Sequence, residues 1–173
     1  MEKLDSNIVL IGFMGCGKTT VSKGLKRKYG MDIVEMDGII EEREGKSISD
    51  IFKDNGEEYF RNLETDLLKE MQSRKNTIIS CGGGTPLREV NVAEMKKNGK
   101  VFLLTAKPET ILNRVKNSHN RPLLEGNKNV EFIENLLEQR RDKYEACADV
   151  VIATDGRSVD DICEEIMDAA KAF

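Results

Sequence analysis

No stretch of the 173 residues is apolar for long enough to cross a bilayer, and the opening Met1-Glu2-Lys3-Leu4-Asp5 lacks the apolar core of a signal peptide. Membrane insertion and secretion are thereby set aside, and a cytoplasmic location is expected. There is a single histidine, His119, too few for a histidine-based metal site. The four cysteines, Cys16, Cys81, Cys147 and Cys163, are scattered without a C-x-x-C pair, which argues against both a zinc site and a disulfide framework. Charge of neither sign dominates: the net charge is −4, without the basic surplus of a dedicated nucleic-acid or membrane binder. Internal repeats, low-complexity segments and linkers are absent as well, so residues 1–173 read as one domain. What is present, 39% hydrophobic and 34% charged residues, is the composition of a globular protein with a sizeable buried core.

The chain is organised around Gly12-Phe13-Met14-Gly15-Cys16-Gly17-Lys18-Thr19, which fits G-x-x-x-x-G-K-S/T, the phosphate-binding P-loop. The apolar run Ile8 to Ile11 precedes it and a helix-prone stretch, Thr20 to Tyr29, follows, giving the strand–loop–helix context that the motif requires. Gly12, Gly15 and Gly17 let the backbone turn and aim N–H groups at phosphate oxygens, and the start of the helix that follows, at Thr20, adds the positive end of a dipole. Lys18 is expected to reach the β- and γ-phosphates of ATP, and Thr19 to hold Mg²⁺. Cys16 lies near a helix start, where a thiol pKa can fall, but the position needs only a small residue.

Further apolar runs of strand length follow: Ile33-Val34, Thr77 to Cys81, Val101 to Thr105 and Val150 to Ala153, separated by helical patterns. This alternation predicts a three-layer α/β fold, a five-stranded parallel sheet with helices on both faces. The last helix, Ser158 to Lys171, has Ser158 as its expected N-cap. Residues 37–74 form a helical insertion between the second and third strands. Ligands of such sheets gather at the C-terminal strand ends, so Asp37 and Gly82-Gly83-Gly84 are expected to share a crevice with the P-loop.

Three local patterns allow two readings each. Glu35 and Asp37, two apart on a segment read as extended, point to one side and can serve a metal and an acceptor hydroxyl; alternatively Asp37 caps the following helix. Arg61 and Glu64 share a helix face, where the arginine can grip a carboxylate with two parallel hydrogen bonds; alternatively Arg61 pairs with Glu57 on the surface. Three consecutive glycines imply that something approaches the main chain closely, such as a small ligand; alternatively the run is itself a tight strand-to-helix turn.

Taken together, the P-loop, Asp37 with Ile40-Glu41, Phe60-Arg61-x-x-Glu64, Gly82-Gly83-Gly84 and Arg121-Pro122-Leu123-Leu124 resemble shikimate kinases in order and spacing, from Ile8 to about Asp149. The resemblance implies a nucleoside-monophosphate-kinase-like fold and ATP- and Mg²⁺-dependent phosphorylation of the 3-hydroxyl of shikimate, by a monomer. It implies that Asp37 binds the substrate hydroxyls and accepts the proton of the attacking one. Arg61 and Arg140, the latter in an R-x-x-x-Y pattern with Tyr144, would hold the substrate carboxylate, with Glu64 orienting Arg61. Gly82, Gly83 and Gly84 would form a pocket wall, and Phe52 and Phe60 would pack on the carbocycle. Arg114 would stack on adenine and Arg157, in the loop Thr154 to Arg157, would contact it. The polar segment 117–128 is similar to the family's lid, with Arg121 stabilising the transferring phosphoryl group; the core is then 1–36, 75–116 and 129–173. The chain departs from the family at Glu35, where an aspartate is usual; glutamate keeps the charge and can still serve through a Mg²⁺-bound water. The competing readings are another small-molecule P-loop kinase, such as a gluconate kinase, and a catalytically silent nucleotide-binding regulator. The paired arginines and triple glycine favour shikimate over the first, and Lys18, Asp37 and Arg121 oppose the second.

Overall fold

The computed structural model describes residues 3–116 and 129–172. Five strands, β1 (Asn7–Ile11), β2 (Asp32–Glu35), β3 (Thr77–Ser80), β4 (Gly99–Thr105) and β5 (Val150–Ala153), pair in parallel in the order β2-β3-β1-β4-β5. The expected five-stranded parallel sheet is therefore observed. β1 is the central strand, and Ile8, Val9, Leu10 and Ile11 have no exposed surface. An unbroken apolar run is what a strand covered on both faces requires.

Successive residues of β1 alternate between two separate cores. Val9 and Ile11 face a cluster with Met36, Ile40, Phe60, Leu68 and Tyr144, below α2 (Met36–Glu44), α4 (Glu57–Met71) and α7 (Val130–Cys147). Ile8 and Leu10 face Val21, Leu25, Ile162 and Ile166, below α1 (Lys18–Tyr29) and α8 (Val159–Lys171). Three layers result, from a period-2 strand between two amphipathic helix layers. At the start of β1, Asn7 is buried; its Nδ2 donates to Arg74 O (3.0 Å), its Oδ1 accepts from Thr77 N (3.2 Å), and its N–H donates to Asn98 O (2.9 Å).

The remaining helices are α3 (Ile48–Asn55), α5 (Glu89–Lys97) and α6 (Pro108–Val115), with a 3₁₀ turn at Thr85–Leu87. Residues between β2 and β3 fold as three helices, α2, α3 and α4. Ser158 caps α8 by accepting from Asp161 N at 3.1 Å. All four cysteines are buried and unpaired by disulfides. Among the described residues no helix is long and apolar enough to cross a membrane.

Candidate active site

The site begins where β1 ends. Gly12, Gly15 and Gly17 all have positive φ (150°, 79° and 107°), which side chains other than glycine rarely tolerate. At Gly12 the space is also closed: a Cβ would lie 2.6 Å from both Cys16 Sγ and Leu104 O. Cys16 is itself buried, which fits its reading as a small packing residue rather than an exposed thiol. No side chain caps the N-terminus of α1, and Gly17, Lys18, Thr19 and Thr20 line a cleft of about 360 Å³. The N–H groups of the first helical turn and the macrodipole's positive end are thus available to an anion in that cleft. The Lys18 ammonium donates to Gly12 O and, at 3.4 Å, to Phe13 O.

The same cleft is lined by Glu35, Asp37, Ser80, Cys81, Gly82 and Gly83 from the C-terminal ends of β2 and β3, as the strand-end rule requires. One local expectation is corrected. Glu35 and Asp37 do not share an extended segment: β2 ends at Glu35, and Asp37 lies in the first turn of α2. Nor does Asp37 cap that helix; Glu35 is the N-cap residue, and its side chain makes no capping hydrogen bond. The Glu35 carboxylate instead accepts from the Thr19 hydroxyl at 3.2 Å, across the mouth of the P-loop. Asp37 Oδ1 is buried without a hydrogen-bond partner. Burial, reinforced by the neighbouring negative charge of Glu64 and opposed by Lys18, pushes the Asp37 carboxyl up to about 6.

Beyond Asp37 the glycine run forms a wall against which three charged groups press. A Cβ on Gly82 would lie 2.9 Å from Asp37 Oδ1, one on Gly83 3.1 Å from Arg140 Nη1, and one on Gly84 2.6 Å from Arg61 Cζ. The three glycines are therefore explained by close approach, with both arginines among the groups that approach. Tyr144 Oη donates to Gly83 O (2.6 Å) and accepts from Arg140 Nη1 (3.2 Å), so one turn of α7 fixes Arg140 on the wall. The Arg140 guanidinium carbon also lies 5.6 Å from the Phe13 ring centroid.

The surface pairing of Arg61 with Glu57 is present, together with a second contact to Glu64 on the interior side. Its Nη1 donates to the fully buried Glu64 Oε1 at 2.7 Å, while its Nε and Nη2 reach the exposed Glu57 Oε1 at 3.4 and 3.2 Å. Burial works against the charge of Arg61, but Glu64 and Glu57 outweigh it and its pKa is raised. Phe52 and Phe60 pack ring to ring at 5.1 Å with the Arg61 guanidinium over both. Phe60 is only 3% exposed and belongs mainly to the core, whereas Phe52 is half-buried.

On the opposite side, Arg114 Nη1 donates to Gly15 O (2.8 Å) and lies 3.4 Å from Thr154 Oγ1, which is itself 3.1 Å from Cys16 O. Arg114 thus reaches the P-loop. Arg157 is engaged elsewhere, with Ala153 O at 3.3 Å and Glu165 of α8 at 2.6 Å. Arg121, His119 and the rest of segment 117–128 lie outside the described residues. Sequence reasoning assigned no role to Thr65, Thr85 and Asn91, all buried polar residues around the site, and named Thr154 only as the start of a loop. Their signal was a polar residue at a position packed among apolar ones, which is visible only once partners are known.

A P-loop opening a helix, a partly buried carboxylate facing it, and arginines lodged against a glycine wall at the strand ends define a small-molecule P-loop kinase. The comparisons narrow the class. The shikimate kinase family model matches residues 14–171. A shikimate kinase of Dehalococcoides mccartyi is 43% identical over 171 residues, covering 99% of this chain and 97% of that protein. The structure titled shikimate kinase from Acinetobacter baumannii in complex with shikimate superposes with a TM-score of 0.89 at 34% identity, covering 96% of this chain and 93% of that one. Shikimate kinase from Aquifex aeolicus gives 0.80 at 36% identity, with 96% of each chain covered. The chain belongs to the shikimate kinase family.

Proposed function

We propose that this chain transfers the γ-phosphoryl group of ATP to the 3-hydroxyl of shikimate, with Lys18, Asp37, Arg61 and Arg140 as the residues that perform and orient the transfer. The observation that carries the assignment of roles is the buried Asp37 Oδ1, an acceptor without a donor between the P-loop and the arginines. A buried polar atom is normally paired; Asp37 lines the cleft while its Oδ1 lies unpaired against Gly82, so the carboxylate has acceptor capacity to spare for a substrate hydroxyl. Its raised pKa suits a base that takes up the hydroxyl proton as the oxygen attacks. Arg61 and Arg140, both against the glycine wall, supply charge-assisted donors for the substrate carboxylate. They fix the ring so that its hydroxyl meets Asp37, and Phe52 offers apolar area beside them.

On the nucleotide side, Gly12, Gly15, Cys16, Gly17, Lys18, Thr19 and Thr20 cradle the phosphates. Lys18 adds charge that stabilises the β- and γ-oxygens as the bond to the leaving group lengthens. Arg114, bonded to the P-loop through Gly15 O, is the candidate to flank the adenine that the family resemblance implies; Arg157 is a weaker one because its side chain is tied to Glu165. Arg121 retains the phosphoryl-stabilising role that the family resemblance implies. Mg²⁺ would be held by Thr19 directly and by Glu35 through water; their oxygen-only donors fit a hard cation. When bound, it would neutralise phosphate charge. A monomer working in the cytoplasm remains the expectation drawn from resemblance and composition. Phosphate transfer from labelled ATP over a panel of hydroxy acids tests the substrate. Shikimate is expected to be the acceptor; transfer to gluconate in its place, or to none, would overturn the assignment.

A further inference from the structure

Behind the arginine lies a closed set of buried polar side chains to which no step of phosphoryl transfer assigns a task. Glu64 and Thr85 are fully buried. Glu64 Oε1 accepts from Arg61 Nη1, and Glu64 Oε2 accepts from the Thr85 hydroxyl. Thr85 is anchored independently: its N–H donates to Gly82 O (3.2 Å) and its carbonyl accepts from Asn91 Nδ2 (3.0 Å). That contact fixes the amide orientation of the buried Asn91, whose Oδ1 then accepts from Thr65 Oγ1 at 2.6 Å. Thr65 follows Glu64 on α4, so the chain of hydrogen bonds returns to the helix it left. Burying four polar side chains is costly unless each is paired, and each is. The ring stitches α4 to the glycine turn and to α5, and Arg61, lodged against Gly84, is attached to it through Glu64.

We propose that Thr85 is a positioning residue for the substrate carboxylate, acting through Glu64 on the guanidinium of Arg61. This rests on the reading of Arg61 as a carboxylate-binding residue. Positioning is needed because the guanidinium sits between two carboxylates. Glu57, with a side chain 65% exposed, holds its Nε and Nη2 from the solvent side, while Glu64 holds Nη1 from the interior. The exposed pair is weak and mobile. The buried one defines a single orientation only if Glu64 itself cannot turn. The Thr85 hydroxyl removes that freedom by occupying the second oxygen of Glu64. Without it, Glu64 Oε2 is a buried acceptor in want of a donor, and the carboxylate rotates to share the remaining one.

The test compares Thr85→Val, which keeps the shape and loses the hydroxyl, with Thr85→Ser, which keeps the hydroxyl. Steady-state KM for shikimate and for ATP, kcat and thermal unfolding are measured on each. Thr85→Val is expected to raise KM for shikimate by about three- to tenfold, the worth of one hydrogen bond, with KM for ATP unchanged. Thr85→Ser is expected to restore the value. Should Thr85→Val not fold, Thr85→Ala carries the same expectation. An unchanged shikimate KM, or equal rises in both KM values, overturns the proposal. Arg61→Lys separates it from the reading beneath it. If Arg61→Lys weakens shikimate and Thr85→Val does not, the positioning role alone falls. If Arg61→Lys leaves shikimate KM unchanged, the carboxylate-binding reading falls and the positioning role with it. In the Arg61→Lys background, Thr85→Val is expected to add no further loss; an additive loss means that Thr85 acts by another route and overturns the proposal.

Discussion

Replacing Gly84 by alanine adds one methyl group at a site where the backbone itself raises no objection. Gly84 has φ of −91°, which any residue adopts. The space is the obstacle: the new Cβ would lie 2.6 Å from Arg61 Cζ. Ordinary carbon–carbon contact begins near ~3.5 Å, so the guanidinium must retreat by about 0.9 Å. Arg61 is a flexible side chain and gives way before the backbone does. The retreat stretches its 2.7 Å bond to Glu64 past hydrogen-bonding range. Losing the positioned, charge-assisted contact to the substrate carboxylate costs about 1.5–3 kcal/mol, or about 10- to 150-fold in affinity. Calorimetric titration with shikimate and, separately, with an ATP analogue measures it. The shikimate affinity is expected to fall by that factor while the ATP analogue binds as before, and thermal unfolding is expected to move little. Gly83→Ala provides the internal scale: its Cβ would stand 3.1 Å from Arg140 Nη1, so the neighbour yields only by tenths of an ångström and the loss is smaller. A Gly84→Ala protein that binds shikimate normally would refute the reasoning, because the placement of Arg61 against the glycine wall would then be irrelevant to recognition.

Lys18→Ala is expected to lower kcat by about a thousandfold with the fold intact, because no other described cation lines the phosphate end of the cleft except Arg114; near-normal kcat in the folded variant would remove Lys18 from the chemistry. With Asp37 pushed up to about 6, kcat/KM for shikimate should decline as pH falls through that value, since only the ionised carboxylate accepts the proton; a flat profile down to pH 5 would exclude it as base. The same shift makes ionised Asp37 a cost to the fold. An acid whose folded pKa is raised from 3.8 gains stability from protonation at low pH and loses it as pH rises through about 6. Asp37→Asn should therefore melt higher than the parent at pH 8, by up to about 2–3 kcal/mol, while losing activity. Glu35→Gln is expected to raise the Mg²⁺ concentration for half-maximal rate and Glu35→Asp to leave it similar or lower; coincident titration curves would leave Thr19 as the sole protein ligand.

The sheet was legible because parallel strands covered on both faces leave unbroken apolar runs, as β1 and β4 do, and because the edge strand β5 keeps the run Val150 to Ala153 although Val151 is exposed. The P-loop was legible because its backbone geometry demands glycines at fixed intervals. Glu35 and Asp37 were misplaced because two residues are too few to distinguish a strand end from a helix start, and α2 begins at Met36, immediately after β2. For Arg61 the sequence offered Glu57 or a ligand; Glu57 and Glu64 both lie within helical reach, and spacing along a helix carries no information about a ligand. The Thr65–Asn91–Thr85–Glu64 ring was invisible because its members meet only after three elements pack. Arg157 was assigned from its place in a loop, and the ion pair with Glu165 depends on where α8 returns.

The alternation of β1 between two apolar cores has a consequence for how the site keeps its height above the sheet. In a strand with one wet face, a slip of one residue is penalised by exposing every apolar side chain. β1 has no wet face, so a slipped Ile8 to Ile11 would still bury four branched aliphatic side chains. Hydrophobic patterning therefore fixes the register of this strand only weakly. Asn7 does it instead, at the end remote from the chemistry, through its three hydrogen bonds to Arg74, Thr77 and Asn98. A one-residue slip would carry Gly12 and the whole P-loop about 3.3 Å along the strand axis relative to Glu35 and Asp37, which ride on the β2–α2 junction on the far side of β3. The distance between the donor and acceptor halves of the site is in this sense gauged by an asparagine at the bottom of the molecule.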